Sequence, residues 1–307
     1  MFDAASDAEV IAVDTDTRLK SESEAARIVT DFSRQIITAK PAWIYKKTDS
    51  VMRGHIRAEI EAVLDVTGKP RCIFIPANPS KGRIIRGGSY FVNDLPLNQT
   101  VFASDPDFPR LTAKVRELLG HSERIRTPDA TMLEDLQLDL DSQTLAAGAA
   151  DFFTARIGVK QPVMRLAVTT ASMLLCGSLA AWDTGRAAQM AGRGFVVKTL
   201  NEAVSPAIWQ TTSKLMLAIG RPDASELTSL TEKLVEEALP LFSGAEGDLR
   251  IGLEGGATAM AFIRRMGWSR FEVIPEGHVG VGTLRPPGGP LLCVKPGSYP
   301  WPESIFC

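Results

Sequence analysis

AWIYKKTDSVMRGHIRAEIEAVLDV, residues 42–66, passes from an apolar run through a charged turn into an amphipathic run. Ile56, Ile60, Val63 and Leu64 recur at helical spacing, so the stretch predicts a buried strand, a polar turn and a helix. Upstream, EVIAVDTDTR (9–18) reads as a short buried strand ending in polar residues, and Ala25, Ile28, Val29, Phe32 and Ile36 mark the helix after it. Downstream, RCIFIPA (71–77) reads as a third strand. Strand, helix, strand, helix, strand is the rhythm of a parallel sheet with crossover helices. In such sheets ligands collect beyond the carboxyl ends of the strands. The polar clusters DTDTR (14–18), KKTDS (46–50) and PANPSKGR (76–83) all fall at those expected ends.

A Gly-, Pro-, Asn- and Asp-rich stretch follows over 78–110 and reads as a long functional loop. QTLAAGAADFFTARIG (143–158) reads as helical, and VKQPVMR (159–165) as the interdomain connection and candidate hinge. The second half restarts the rhythm: strands over SMLLCGS, GFVVKTL, DLRIGLEGG and GPLLCVKPGSY, and helices over LAAWDTGRAAQMAG (179–192) and ATAMAFIRRMG (257–267). Leu227, Leu230 and Leu234 share a face of a further helix expected to precede Pro240. The expectation is an α/β protein of two domains, 1–160 and 161–307, each a mostly parallel sheet with flanking helices.

With 307 residues, 45% apolar and 23% charged, and a formal net charge of −2, the composition is globular. No long Lys/Arg block or aromatic-interleaved basic stripe points to nucleic acid. No apolar run is of membrane-spanning length, and MFDAASDAEV lacks the basic and apolar regions of a signal peptide. The cysteines are scattered, and three of them (Cys72, Cys176, Cys293) sit in apolar runs, the pattern of buried thiols in a reducing cytosol. His55, His121 and His278 are too far apart in sequence for a zinc site and read as surface or helix-end residues.

A helix starting near Ser50 to Gly54 would offer free backbone N–H groups to an anion. Arg53 can grip a carboxylate with two parallel hydrogen bonds, and Lys46 and Lys47 add point charge. Asp49 can accept from a sugar hydroxyl, and neighbouring cations should keep it ionised. Asp14, Asp16 and Arg18 add to the same rim. This inventory suits a small polyhydroxy acid; the plain structural alternative is a salt-bridged turn with Ser50 as N-cap.

In the second half, GLEGGATA (252–259) and CGS (176–178) place Gly252, Gly255 and Gly256, then Gly177 and Ser178, at strand-to-helix turns. Such glycines let backbone amides approach phosphate oxygens. VKPGSY adds Lys295, which could equally be a solvated lysine, and Gly297 at a third strand end. Neither a Walker loop nor the dinucleotide fingerprint is present, which disfavours a nicotinamide-dependent dehydrogenase.

Taken in order, DTDTR, YKKTDSVMRGHIRAEIEAVL, GGSYFVNDLPLNQTVFASDPDFP, LLCGSLAAW, LEGGATA and CVKPGSY resemble the four-carbon acid sugar kinases, a family once known as a domain of unknown function. The resemblance spans nearly the whole chain. It implies a first domain that binds a sugar acid such as threonate, erythronate or 3-oxo-tetronate, and a second that binds ATP, with Mg2+ assisting transfer to the terminal hydroxyl. By motif it places Asp16, Arg18, Lys47, Ser50, Arg53 and Gly54 with substrate and Asp49 as the catalytic candidate. Gly177, Ser178, Gly255, Gly256, Ala257, Thr258 and Gly297 fall at the nucleotide turns. The expected setting is cytoplasmic, with a homodimer possible where a sheet edge is left open. Family members open with an Asp-Asp-Leu-Thr-Gly-Ala type motif that is absent here, so either the true start lies upstream of Met1 or the form is shortened. GSLAAW and VKPGSYPWPE also depart from the family pattern. The competing expectation is therefore a truncated, non-catalytic homologue that binds a sugar acid or nucleotide.

Overall fold

A computed structural model describes residues 8–105, 107–158, 169–200, 202–221, 227–242, 248–274, 280–297 and 300–306. The expected hinge at 159–165 and His278 lie outside the described residues. The chain divides into two compact units, Met1–Lys160 and Gln161–Cys307.

In the first unit, α1 (Glu22–Thr38) starts where Ser21 caps the Glu24 amide at 3.3 Å, with Glu22 and Glu24 in the first turn. It buries Ala25 and Val29 and packs along α2 (Ile56–Thr67), which buries Ile60, Val63 and Leu64. The two helices accompany a four-stranded parallel sheet of β1 (Tyr45–Lys47), β2 (Arg71–Ile75), β6 (Ile125–Arg126) and β7 (Thr144–Gly148), in the order β1-β7-β2-β6. The expected parallel sheet is present, but two of its strands come from unexpected places.

Residues 9–18 are not a strand. Val10 is 58% and Ile11 42% exposed, so the alternating apolar pattern there meets no sheet partner among the described residues. Conversely, 144–148, expected to be helical, is the central strand β7, and only Ala150–Ile157 (α4) is helix. The alanines of this run favour a helix locally, but close packing governs here. A Cβ on Gly148 would collide with the Ile75 carbonyl, which itself accepts from the Ala149 amide at 3.0 Å. Tertiary fit overrides local propensity.

The presumed long loop is also structured. Arg83–Arg86 (β3), Ser89–Val92 (β4) and Leu95–Pro96 (β5) form an antiparallel sheet, held to the body by the Ile85–Ala130 bridge. Short 3-10 turns follow over Leu97–Gln99 and Val101–Ser104. A five-residue helix, α3 (Val115–Leu119), ends at Gly120, just before His121.

The second unit is a seven-stranded sheet. Its strands are β8 (Ala171–Cys176), β9 (Val196–Thr199), β10 (Lys214–Ala218), β11 (Leu249–Glu254), β12 (Glu272–Ile274), β13 (Gly282–Arg285) and β14 (Leu291–Lys295), in the order β12-β13-β14-β11-β8-β10-β9. β14, β11, β8, β10 and β9 run parallel; β12 and β13 are antiparallel additions. β8 and β11 are buried along their whole length, as central strands covered on both faces must be. One face packs on α7 (Leu227–Phe242) and α8 (Gly256–Arg265), with Leu234, Val235 and Phe262 fully covered. The other face is closed by Trp301, Ile305 and Phe306 near the chain end. Two helical expectations change. The 179–192 run is broken at Gly185 (φ +78°) into α5 (Leu179–Asp183) and α6 (Arg186–Ala191), and α7 continues through Pro240 to Phe242.

Candidate functional site

In the first unit the carboxyl ends of β1, β7 and β2 lie side by side, tied by the Thr48 amide to the Gly148 carbonyl at 2.8 Å. The turn after β1 carries the site. Successive strand residues point to opposite faces, which separates the two lysines. Lys46 binds Glu59 at 2.6 Å, and Glu59 also accepts from the Thr17 hydroxyl at 2.7 Å, so Glu59 anchors both β1 and residue 17 to α2. Lys47 stays solvent-accessible and donates to the Thr48 carbonyl at 2.7 Å. Loss of water around its ammonium, together with Lys46, Arg18 and Arg83, lowers its pKa, against the opposing pull of Asp49.

α2 begins at Ile56, with His55 at its N-cap, rather than near Ser50. The residues between belong to a turn organised by Asp49. Its Oδ1 accepts from the Val51 amide at 3.0 Å and the Arg53 amide at 3.3 Å, so the amides expected to meet an anion already serve this carboxylate. Arg53 donates through Nε to Oδ1 at 3.3 Å and through NH2 to Oδ2 at 2.9 Å; its NH1 reaches Asp105 at 3.2 Å. Arg18 approaches Asp49 Oδ2 at 3.4 Å. Burial pushes the Asp49 carboxyl up, but the hydrogen bonds and charge of Arg53, with Arg18, outweigh it and hold it below the ordinary value. Asp105 is likewise held low: its backbone bond from Phe108 and its bond from Arg53 outweigh burial.

The remaining motif residues surround this pair. Ser50 accepts a hydrogen bond from Arg83. Gly54 (φ +90°) sits against Arg18, 3.8 Å from its Cα to a Cβ placed on the glycine. Asp16 stands exposed with φ +47°, its amide bonded to Asp14 at 3.0 Å. His55 donates through Nε2 to the Lys20 carbonyl, 2.6 Å away, and so ties the chain before α1 to the start of α2. Sequence reasoning did not single out Arg83 and Asp105. Each lies in a quoted polar stretch, but only the folded chain brings them to Ser50 and Arg53. The PANPSKGR cluster is largely structural: Asp151 accepts from the Ser80 amide and hydroxyl, each at 2.8 Å, and Asn78 accepts from the Asp151 amide at 2.9 Å.

In the second unit, the turns at Gly177–Ser178, Gly255–Gly256 and Gly297 follow β8, β11 and β14, three adjacent parallel strands, and are packed on one another. A Cβ on Gly177 would overlap the Thr258 hydroxyl, and one on Gly297 would overlap Ser178. The Gly255 amide donates to the Lys295 carbonyl at 2.9 Å. Ala257 and Thr258 form the first turn of α8, and the buried Thr258 hydroxyl has no hydrogen-bond partner among the described residues. Gly256 faces open space. Lys295 is not a solvated lysine: it is 1% exposed and binds Glu254 at 2.7 Å.

Among the described residues no three His, Cys, Asp or Glu side chains are grouped to hold a metal, and no helix is long and apolar enough to cross a membrane. A depression of about 310 Å³ between Arg193, Lys214, Glu303 and Phe306 lies at the other end of the second sheet, since Lys214 opens β10.

A parallel sheet whose carboxyl rim gathers Arg53, Arg18 and Lys47 at Asp49, with Arg83 on the neighbouring Ser50, followed by a second sheet with three glycine turns, defines a two-unit α/β protein with a charged rim site. Residues 1–164 match the family model described as "Sugar-binding N-terminal domain". The chain belongs to the four-carbon acid sugar kinase family. A D-threonate kinase of Bordetella bronchiseptica is 26% identical over 90% of this chain and 79% of its own length. A D-erythronate kinase of Heliobacterium modesticaldum is 39% identical over 41% of this chain and 30% of its own length. A Salmonella typhimurium structure described as a putative tRNA synthase superposes with a TM-score of 0.75 at 18% identity, covering 94% of this chain and 86% of that one. A Haemophilus influenzae protein of family DUF1537 superposes with a TM-score of 0.67 at 17% identity, with the same coverage. At these identities the two structures bear on fold alone, and both share it.

Proposed function

We propose that this protein is a cytoplasmic kinase that moves the terminal phosphoryl group of ATP to the terminal hydroxyl of a four-carbon sugar acid. The observation that carries the reading is the cluster at the β1 rim: Lys47, Arg18 and Arg83 around the Asp49–Arg53 pair. Lys47 and Arg18 are exposed enough to meet a carboxylate. Arg53 already has its Nε–NH2 edge on Asp49, so it serves chiefly to fix that carboxylate. Asp49, kept ionised, accepts from a substrate hydroxyl and orients it. A carboxyl with a lowered pKa is a weak proton acceptor, so orientation is the larger part of its role. The names of the relatives, D-threonate and D-erythronate kinases, support the substrate class.

For the nucleotide, the turn at Gly255–Thr258 offers backbone amides at the start of α8, beside the turns at Gly177–Ser178 and Gly297, and the Thr258 hydroxyl is a donor in need of an acceptor. With no grouped metal ligands among the described residues, Mg2+ would be carried mainly by the phosphates it neutralises.

The test is direct. Purified protein is incubated with ATP–Mg2+ and a panel that includes D-threonate, D-erythronate and 3-oxo-tetronate, and the products are analysed by mass spectrometry. A monophosphorylated acid with matching ADP release supports the reading; no product from any four-carbon acid overturns it. One observation favours a second reading, a binding protein without turnover. Residues 9–13, patterned for a strand, join no sheet among the described residues, so the rim lacks a contribution from that side. Acid binding without ADP release would identify that case.

A further inference from the structure

Arg186, Glu254 and Lys295 come from α6, β11 and β14 and meet directly beneath the three glycine turns. Glu254 and Lys295 are register partners at the ends of neighbouring parallel strands, and their side chains bond at 2.7 Å. Arg186 reaches in from α6 and donates through Nε to both Glu254 oxygens, at 3.0 and 3.1 Å; its NH1 binds Gln189 at 2.5 Å. None of the three side chains is more than 3% exposed. Lys295 also donates to the Pro296 carbonyl at 2.7 Å and lies 5.0 Å from the Trp301 ring centre.

Each member is wired to a turn. Glu254 immediately precedes Gly255. Lys295 accepts from the Gly255 amide through its carbonyl and stands two residues before Gly297, which packs on Ser178. Arg186 belongs to the helix pair that leaves the Gly177–Ser178 turn. Taking three charges out of water offsets most of their attraction, and apolar replacements of such clusters are often neutral or stabilising. Stability is therefore a poor account of a buried triad at this spot; a fixed geometry is a better one.

We propose that Glu254 is a positioning residue which, by holding Arg186 and Lys295, sets the three glycine turns at the spacing that a nucleotide's phosphate chain requires. The proposal rests on the nucleotide-binding reading of the second unit. It also makes a prediction about charge. The groups facing the Lys295 ammonium are Glu254, Arg186, the Cys176 thiol and the Trp301 ring. Burial lowers the Lys295 pKa and Glu254 is the main opposing influence, so a neutral residue at 254 leaves that lysine easier to discharge.

The experiment is calorimetric titration of the full chain with ADP–Mg2+ and, separately, with D-threonate, alongside thermal unfolding. The proteins are wild type, Glu254→Gln, and the triple variant Arg186→Met/Glu254→Leu/Lys295→Met. Glu254→Gln should bind ADP at least about tenfold more weakly, with D-threonate affinity unchanged, and its ADP affinity should fall with rising pH more steeply than that of wild type. The triple variant should unfold at or near the wild-type midpoint yet still bind ADP weakly, and it carries the test should Glu254→Gln not fold. A folded triple variant with wild-type ADP affinity overturns the proposal, as does an equal loss of affinity for both ligands in Glu254→Gln. Wild-type protein that binds no ADP overturns the nucleotide reading and this proposal with it.

Discussion

Arg53 folds back on Asp49, four residues earlier, and takes both oxygens of its carboxylate while its third nitrogen reaches Asp105. The pair converts a flexible turn into a fixed acceptor beside two accessible cations, Lys47 and Arg18.

Replacing Asp49 should therefore affect both stability and turnover. Asp49→Asn removes a mostly buried charge partner of Arg53 and should cost about 1–3 kcal/mol in chemical unfolding. Its folded pKa is lowered, so its stabilising contribution is present above the ordinary carboxylate value and is lost as pH falls through the folded value. Stability of wild type should thus drop more steeply than that of the variant below about pH 4. Phosphorylation by the folded variant should fall by at least about tenfold, in line with the typical worth of a positioned acceptor. Unchanged turnover would take Asp49 out of the reaction.

Lys47 should give acid binding an alkaline pH dependence. Its folded pKa is lowered by lost hydration and by Lys46, Arg18 and Arg83, against Asp49. A carboxylate placed beside it favours the charged form, so above the lowered pKa binding must take up a proton and affinity falls as pH rises. For folding the sign is opposite: the penalty of the charged lysine is complete below the folded pKa and is relieved, so that stability rises, as pH climbs from the folded value towards the ordinary one. Calorimetry in buffers of different ionisation enthalpy measures the proton uptake. Lys47→Met should bind the acid more weakly at neutral pH and show no uptake; equal uptake in the variant would assign it to another group.

The strand at the centre of the first sheet can be tested through one glycine. Gly148→Ala places a methyl on the Ile75 carbonyl, and backbone in the middle of a sheet has little room to yield. It should destabilise by about 1–3 kcal/mol or more, the typical cost of overpacking. Gly158→Ala is the control: φ there is +68°, but nothing lies within 4 Å of the new methyl, so only the strain of the left-handed conformation applies, about 1–2 kcal/mol. Urea unfolding that ranks Gly158→Ala as the more damaging would contradict the packing account.

The sequence made much of this architecture readable, and the exceptions have physical causes. Ile56, Ile60, Val63 and Leu64 marked α2 because its burial is one-sided, and Leu292 and Cys293 sat in an apolar run because β14 is covered on both faces. The 9–13 run carries an equally good strand pattern, yet pairing is a property of the partner, and none meets it among the described residues. β7 was hidden because its alanines favour a helix when nothing presses on them; Ile75 and Tyr45, whose hydroxyl reaches the Ala149 carbonyl at 2.7 Å, do the pressing. At the site, the Lys47, Asp49 and Arg53 cluster was legible because its members lie within one turn. Arg83 and Asp105 were not, since each is brought there by more than thirty or fifty residues of intervening chain. Lys295 could be read either as a turn residue or as a solvated lysine, because its partner, Glu254, is a register neighbour on another strand.

Gly256 separates the needs of folding from those of the proposed nucleotide site. It begins α8, and a methyl added there meets nothing within 4 Å, with no positive φ to strain it. Glycine costs a helix conformational entropy, so Gly256→Ala should raise stability by about 0.4–1 kcal/mol where the backbone already suits alanine. That same open space is where a phosphate would lie against the α8 amides, and a methyl would hold it away. Gly256→Ala should therefore melt higher than wild type but bind ADP–Mg2+ more weakly, by about tenfold for the loss of roughly one hydrogen bond to a charged group. Acid affinity, which the proposal places in the first unit, should not change. A variant that is more stable and binds ADP as tightly as wild type would place the phosphates elsewhere than at the start of α8.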